Sequence, residues 1–150
     1  MSLQQDVELM RNIPLFAKIE PSKLKLLAFT AERLAFNQGD FVCRQGEEGD
    51  SAYIIIDGEA DVIVDTANGE VTVATLKKND FLGETAILCD VPRTATVKAK
   101  TDLETLKISK DLFFQLVGQF PSMSIEIMRE LARRVERTTV QLREAVSQQA

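Results

Sequence analysis

Tyr53-Ile54-Ile55-Ile56-Asp57-Gly58-Glu59-Ala60-Asp61-Val62-Ile63-Val64 runs on through Asp65-Thr66-Ala67-Asn68-Gly69-Glu70 into Val71-Thr72-Val73-Ala74-Thr75-Leu76. Three segments rich in β-branched residues are thus separated by Asp57-Gly58 and Asn68-Gly69. Both dipeptides accept the positive φ of tight turns, so the pattern predicts two consecutive antiparallel hairpins. Further strands are expected at 95–99 and 104–108, and the whole zone of strands and turns spans 36–108. Several short strands at this spacing favour a barrel or jelly roll over a parallel sheet.

The flanks read differently. Residues 3 to about 34 are expected to be helical, with Leu9, Ile13, Leu15 and Phe16 followed by Leu24, Leu27 and Ala28 as the apolar positions. Pro21 suits the first turn of a second helix. After the strands, Ser109 is a plausible N-cap for a helix over about 110–117 that stops at Gly118. A longer helix follows Pro121 toward Val146, with Met128, Ala132, Val135, Thr139, Leu142 and Val146 on a heptad-like stripe. That stripe either packs on its own domain or serves an inter-subunit or lid role. The reading is α+β and mainly β: an antiparallel double-stranded β-helix (jelly roll) barrel with N-terminal helices and a long C-terminal helix. Its segments are 1–34 helical, 35–109 β-roll and 110–150 C-terminal helices, within one domain.

Composition narrows the function. With 150 residues, 45% of them hydrophobic, the chain can bury a real core. Its longest apolar run is only 52–56, and Gln4, Gln5, Asp6 and Glu8 break any signal-peptide core, so a cytoplasmic protein with no membrane partner is expected. Met1-Ser2-Leu3 carries no weight. A net charge of −5 argues against binding nucleic acid by bulk electrostatics. Arg129, Arg133, Arg134, Arg137 and Arg143 cluster on the last helix, where a solvated face is the default. Cys43 and Cys89 sit among apolar neighbours and read as buried free thiols. Histidine is absent, which removes the commonest metal ligand and general base. No metal site, catalytic residue or cofactor is expected, and the chain is not read as an enzyme.

One segment breaks the strand-and-turn rhythm: Asp80-Phe81-Leu82-Gly83-Glu84-Thr85-Ala86-Ile87-Leu88, then Cys89-Asp90-Val91-Pro92-Arg93-Thr94-Ala95-Thr96-Val97. A short helix opening at Gly83 would leave its first amides, at Glu84, Thr85 and Ala86, without intrahelical acceptors, which suits an anion. Arg93, at the entry of the next strand, could fold over that anion, and a guanidinium matches a phosphate with two parallel hydrogen bonds. Glu84 would be repelled by a phosphate, so a sugar hydroxyl is its suitable partner. The alternative is a tight turn at Gly83 with Glu84 and Arg93 in an ordinary surface ion pair.

Phe81 to Ala86 together with Pro92 to Val97 resembles the phosphate-binding cassette of the cyclic-nucleotide-binding family. That family includes catabolite activator proteins, protein kinase A and G regulatory regions, and cyclic-nucleotide-gated channels. Gln38-Gly39-Asp40, Arg44-Gln45-Gly46-Glu47-Glu48-Gly49-Asp50 and Tyr53-Ile54-Ile55 with Gly58 resemble the family's turns and leading strands in order, and the likeness runs from about Ile13 to Arg137. It implies that Gly83 with the amides of Thr85 and Ala86 binds the cyclic phosphate, that Arg93 pairs with the charged oxygen, and that Glu84 takes the ribose 2′-hydroxyl. Val62, Val73 and Leu82 would line the sugar and base, and Arg134 and Thr138 on the lid helix would face the base. Thr94 departs from the alanine usual in protein kinase A sites. Relatives that prefer cGMP often carry a hydroxyl there, as do the cAMP-responsive catabolite activators, so the lean toward tolerance of cGMP leaves the ligand as cAMP or cGMP.

The expected function is a sensor that binds cAMP or cGMP and moves its C-terminal helix to signal. The partners anticipated are the cyclic nucleotide and either a second copy, joined through that helix, or an output domain on a longer chain. By itself the chain is not expected to bind DNA specifically. A cupin-type metal enzyme and a ligand-free interaction or dimerisation module of the same fold are the rivals.

Overall fold

A computed structural model describes residues 3–149; Met1, Ser2 and Ala150 lie outside the described residues. Two helices lead the chain, α1 (Leu3–Arg11) and α2 (Pro21–Thr30), joined through a 3-10 turn at Pro14–Phe16. Eight strands follow: β1 (Glu32–Phe36), β2 (Phe41–Cys43), β3 (Ser51–Asp57), β4 (Ala60–Thr66), β5 (Gly69–Leu76), β6 (Phe81–Leu82), β7 (Thr96–Ala99) and β8 (Leu103–Ser109). Helix α3 (Glu84–Cys89) interrupts them between β6 and β7, and α4 (Lys110–Gln119) and α5 (Pro121–Gln149) close the chain. The strands form two four-stranded antiparallel sheets, ordered β1-β8-β3-β6 and β2-β7-β4-β5. This is the mainly β roll with flanking helices that the strand pattern implied.

The apolar run in β3 is explained by burial on both faces. Alternation sends Tyr53 and Ile55 into the space between the sheets, where they meet Val42, Ala60, Leu82, Val97 and Leu103. Ala52, Ile54 and Ile56 point the other way, into a second core with Met10, Phe16, Leu24, Phe113, Met123 and Ile127 from the helices. One strand therefore ties the roll to its helical cover.

Several expectations need correction. The helical reading of residues up to 34 overruns a strand, because β1 begins at Glu32 and pairs with β8, Glu32 opposite Lys107. The hairpin expected at Asp57-Gly58 does not form. β3 pairs with β8 and β6, whereas β4 pairs with β5 and β7, so the chain crosses here from one sheet to the other. Gly58 has φ +93, and a Cβ on it would collide with the Asp102 carbonyl and stand 3.0 Å from Thr101 Oγ1. Its glycine serves a close backbone approach as well as a turn. The second hairpin does form, with Thr66 opposite Gly69. Finally, Cys43 is buried, but Cys89 is exposed at the end of the six-residue α3.

The helix ends follow local chemistry. The Ser109 hydroxyl accepts from the Leu112 amide, and Pro21 opens α2. Gly118 does not stop α4, which runs one residue further to Gln119. Met128, Val135, Leu142 and Val146 are all exposed on α5, so the apolar stripe does not pack on its own domain.

Candidate ligand-binding site

A cavity of about 700 Å³ opens in the roll, walled by Val62, Val73, Leu82, Cys43 and Val97. Its floor is the segment from Gly83 through Ala86 together with Arg93 and Thr94, and its roof is α5, through Glu130, Arg134, Arg137, Thr138 and Gln141. All eleven site residues singled out from the sequence line this one cavity.

Arg93 is built in from both ends. Its backbone amide donates to the Glu47 carbonyl at 2.8 Å, and its carbonyl accepts from the Gly46 amide at 2.9 Å, so the turn after β2 fixes its position. Its guanidinium donates from Nη2 to the Ser51 carbonyl at 2.8 Å and from Nη1 to the Gly83 carbonyl at 3.2 Å. Gly49 leaves room for the side chain, since a Cβ there would stand 3.0 Å from Arg93 Nε. Arg93 is only 6% exposed, yet among the described residues no carboxylate pairs with it. A buried charge without a counter-ion is costly, and two carbonyls offset only part of that cost. Three guanidinium N–H groups are left over for an anion in the cavity.

Glu84, the first residue of α3, is 3% exposed. The surface ion pair between Glu84 and Arg93 is therefore excluded. Glu84 bonds instead to Arg134 of α5, Nη1 to Oε1 at 2.7 Å. Arg134 also donates from Nη2 to the Phe81 carbonyl, and its Cζ lies 4.7 Å from the centroid of the Phe81 ring. It is consequently not part of a solvated face, as the arginine cluster suggested. Thr138 lies one turn on, its hydroxyl donating to the Arg134 carbonyl at 2.8 Å.

Burial pushes the Glu84 carboxyl above the ordinary carboxylate range, with Arg134 and then Arg93 acting against the shift. A group whose folded-state pKa is raised contributes its stability at low pH and loses it as pH rises through the folded value. Urea unfolding should therefore show the wild type losing stability relative to Glu84→Gln as pH is raised from the ordinary carboxylate range toward neutrality. A difference that stays flat across that window would show that Arg134 and Arg93 offset the effect of burial in full.

Sequence reasoning missed several contributors. The Ser51 and Phe81 carbonyls carry no side-chain signal for the part they play, and the Phe81 ring, though inside the cassette, was given no role against Arg134. Glu130, Arg137 and Gln141 did have one, because their spacing from Arg134 puts them along the same side of the helix. The described residues hold no group of three or more Cys, Asp or Glu arranged to bind a metal, and no helix among them is long and apolar enough to cross a membrane.

Residues 33–120 match the family described as the cyclic nucleotide-binding domain. A cAMP-dependent protein kinase regulatory subunit of Blastocladiella emersonii is 39% identical over 110 residues, covering 73% of this chain and 27% of the relative. That of Schizosaccharomyces pombe is 34% identical over 125 residues, covering 83% and 29%. The chain thus spans less than a third of either relative. Among solved structures, the catabolite activator protein of Thermus thermophilus superposes with a TM-score of 0.76 at 26% identity, covering 86% of this chain and 61% of its own. A regulatory subunit of a cAMP-independent protein kinase A from Trypanosoma brucei gives 0.75 at 29%, covering 87% and 47%.

Proposed function

The chain belongs to the cyclic nucleotide-binding domain family, and from that premise we propose that it is a non-catalytic regulatory module whose cavity takes cAMP or cGMP. The observation that carries this is Arg93, a buried guanidinium in the cavity floor with spare donors and no carboxylate partner among the described residues. A cyclic phosphate supplies the missing negative charge. Gly83 and the amides of Thr85 and Ala86 complete its cradle, and Glu84 takes the ribose 2′-hydroxyl, to which an ionised carboxylate can only be an acceptor. Val62, Val73 and Leu82 form the apolar wall for sugar and base, and Arg134 and Thr138 cover the base from α5.

The signal leaves through α5. Ribose and Arg134 both address Glu84, so ligand changes the free energy of the contact that ties this helix to the roll. The kinase regulatory relatives support a protein output, and the exposed stripe on α5 supports dimerisation through that helix. Thr94 in the cavity wall supports acceptance of guanine, with the two nucleotides within about ten-fold of each other, since one added hydrogen bond is worth about 0.5–1.5 kcal/mol.

A thermal-shift titration with cAMP and cGMP in parallel tests the reading. Ligand at 100 times its dissociation constant adds about 2.7 kcal/mol, or about 5–10 °C for a chain of this size. No shift with either nucleotide at millimolar concentration would leave the interaction module without ligand as the surviving reading.

A further inference from the structure

Glu130 is a second carboxylate in the cavity lining, and the ligand reading leaves it without a role. It lies three, four and seven residues before Arg133, Arg134 and Arg137, which places all four along one side of α5. Its Oε2 is 3.3 Å from Arg133 Nη1, and its Oε1 is 3.2 Å from Arg137 Nη2 and 3.6 Å from Arg134 Nε. The Glu130 side chain is 22% exposed, against 62% and 65% for Arg133 and Arg137. It thus sits inside the cluster, with the two outer arginines folded over it.

We propose that Glu130 is a positioning residue that shares Arg134 with Glu84 and aims its guanidinium into the cavity. The guanidinium is planar, so a charge beside its Nε edge fixes the direction in which both Nη groups point. In this structure they point at Glu84 and at the Phe81 carbonyl. Glu130 also offsets the repulsion among three arginines on adjacent turns, which would otherwise swing Arg134 out toward solvent. When a sugar hydroxyl draws on Glu84, Arg134 still has an anion on its own helix. Glu84, Arg134 and Glu130 thereby form one chain of charges from the cavity floor to α5. The proposal rests on the cyclic-nucleotide reading for its ligand but not for its geometry.

Two measurements on the full chain test it. In ligand-free protein, the Arg134 Nε–H resonance, assigned by its loss in Arg134→Lys, should exchange with water at least five-fold faster in Glu130→Gln. Glu126→Gln, which removes the partner of the exposed Arg129, should leave it unchanged. Glu130→Gln keeps the size and shape of the side chain while removing its charge and one acceptor oxygen, so a mere packing role would not move that signal. An unchanged rate in Glu130→Gln overturns the proposal. In the second measurement, release of a fluorescent cyclic nucleotide should be about five-fold faster in Glu130→Gln, and less than two-fold faster when Arg134→Ala is already present. Equal acceleration in both backgrounds would mean that Glu130 acts independently of Arg134 and would overturn it as well. Failure of the wild type to bind either cAMP or cGMP would instead remove the functional reading, and the Nε–H resonance alone would then decide the role of Glu130.

Discussion

Arg93→Ala is expected to lower affinity for cyclic nucleotide by two to four orders of magnitude while leaving a folded protein. The reason lies in how the guanidinium is held. Its backbone is clamped by the Gly46-Glu47 turn, and its Nη atoms rest on the Ser51 and Gly83 carbonyls, so it is oriented before any ligand arrives. Two charge-assisted hydrogen bonds to a phosphate are together worth about 3–6 kcal/mol, which is the range of the expected loss. Stability responds to opposing changes. The substitution removes an uncompensated buried charge but leaves two carbonyls without their donor, so the melting temperature should move by only a few degrees. Arg93→Lys keeps the charge but not the fork, and it should fall between the two. Calorimetric titration with cAMP and cGMP checks all three proteins. An Arg93→Ala protein that binds within three-fold of wild type would mean that the anion sits elsewhere.

Gly83→Ala is expected to damage fold and binding together. Gly83 precedes α3 with φ +88, a conformation that costs an L-residue about 1–2 kcal/mol. A Cβ there would also collide with Arg93 Nη1 and stand 2.8 Å from the Ser51 carbonyl, and crowding of this kind adds about 1–3 kcal/mol. A loss of about 2–5 kcal/mol should lower the melting temperature by about 4–20 °C, with nucleotide affinity falling alongside because Arg93 is pushed off its seat. The two substitutions share an atom and should not add: in an Arg93→Ala background, Gly83→Ala should cost measurably less stability. Full additivity in denaturant melts would show that the clash is relieved elsewhere.

The comparison of sequence with structure separates what is local from what is not. The Asn68-Gly69 hairpin, the Ser109 cap and the break at Gly83 were legible because each depends on residues within a few positions of one another. The cassette from Phe81 to Val97 was legible as a resemblance, and all of its candidate side chains do line one cavity. The crossing at Gly58 was not, because Asp-Gly looks the same whether the next strand pairs with the last or leaves for another sheet. What distinguishes the crossing is that β3 pairs with β8, whose residues lie far along the chain. The 32–36 strand was hidden for a similar reason: Glu32-Arg33-Leu34-Ala35-Phe36 has little β-character alone and is a strand because β8 lies beside it. Arg134 was singled out by the resemblance as a residue facing the base, but its bond to Glu84, 50 residues earlier in the chain, carried no signal in the sequence.

The strand order has a consequence for how the molecule comes into being. In the sheet ordered β1-β8-β3-β6, the second strand in space is the last in sequence, and it lies between the first and third. A chain emerging from the ribosome therefore has β1 and β3 long before the strand that joins them, and closing that gap means bringing residues some 70 positions apart into register. Such distant pairing makes for slow folding, with exposed edges in the interval. The cavity is completed later still, because its roof is α5, which follows β8 in the chain, so a growing chain has no covered pocket to offer a ligand until that helix has been made.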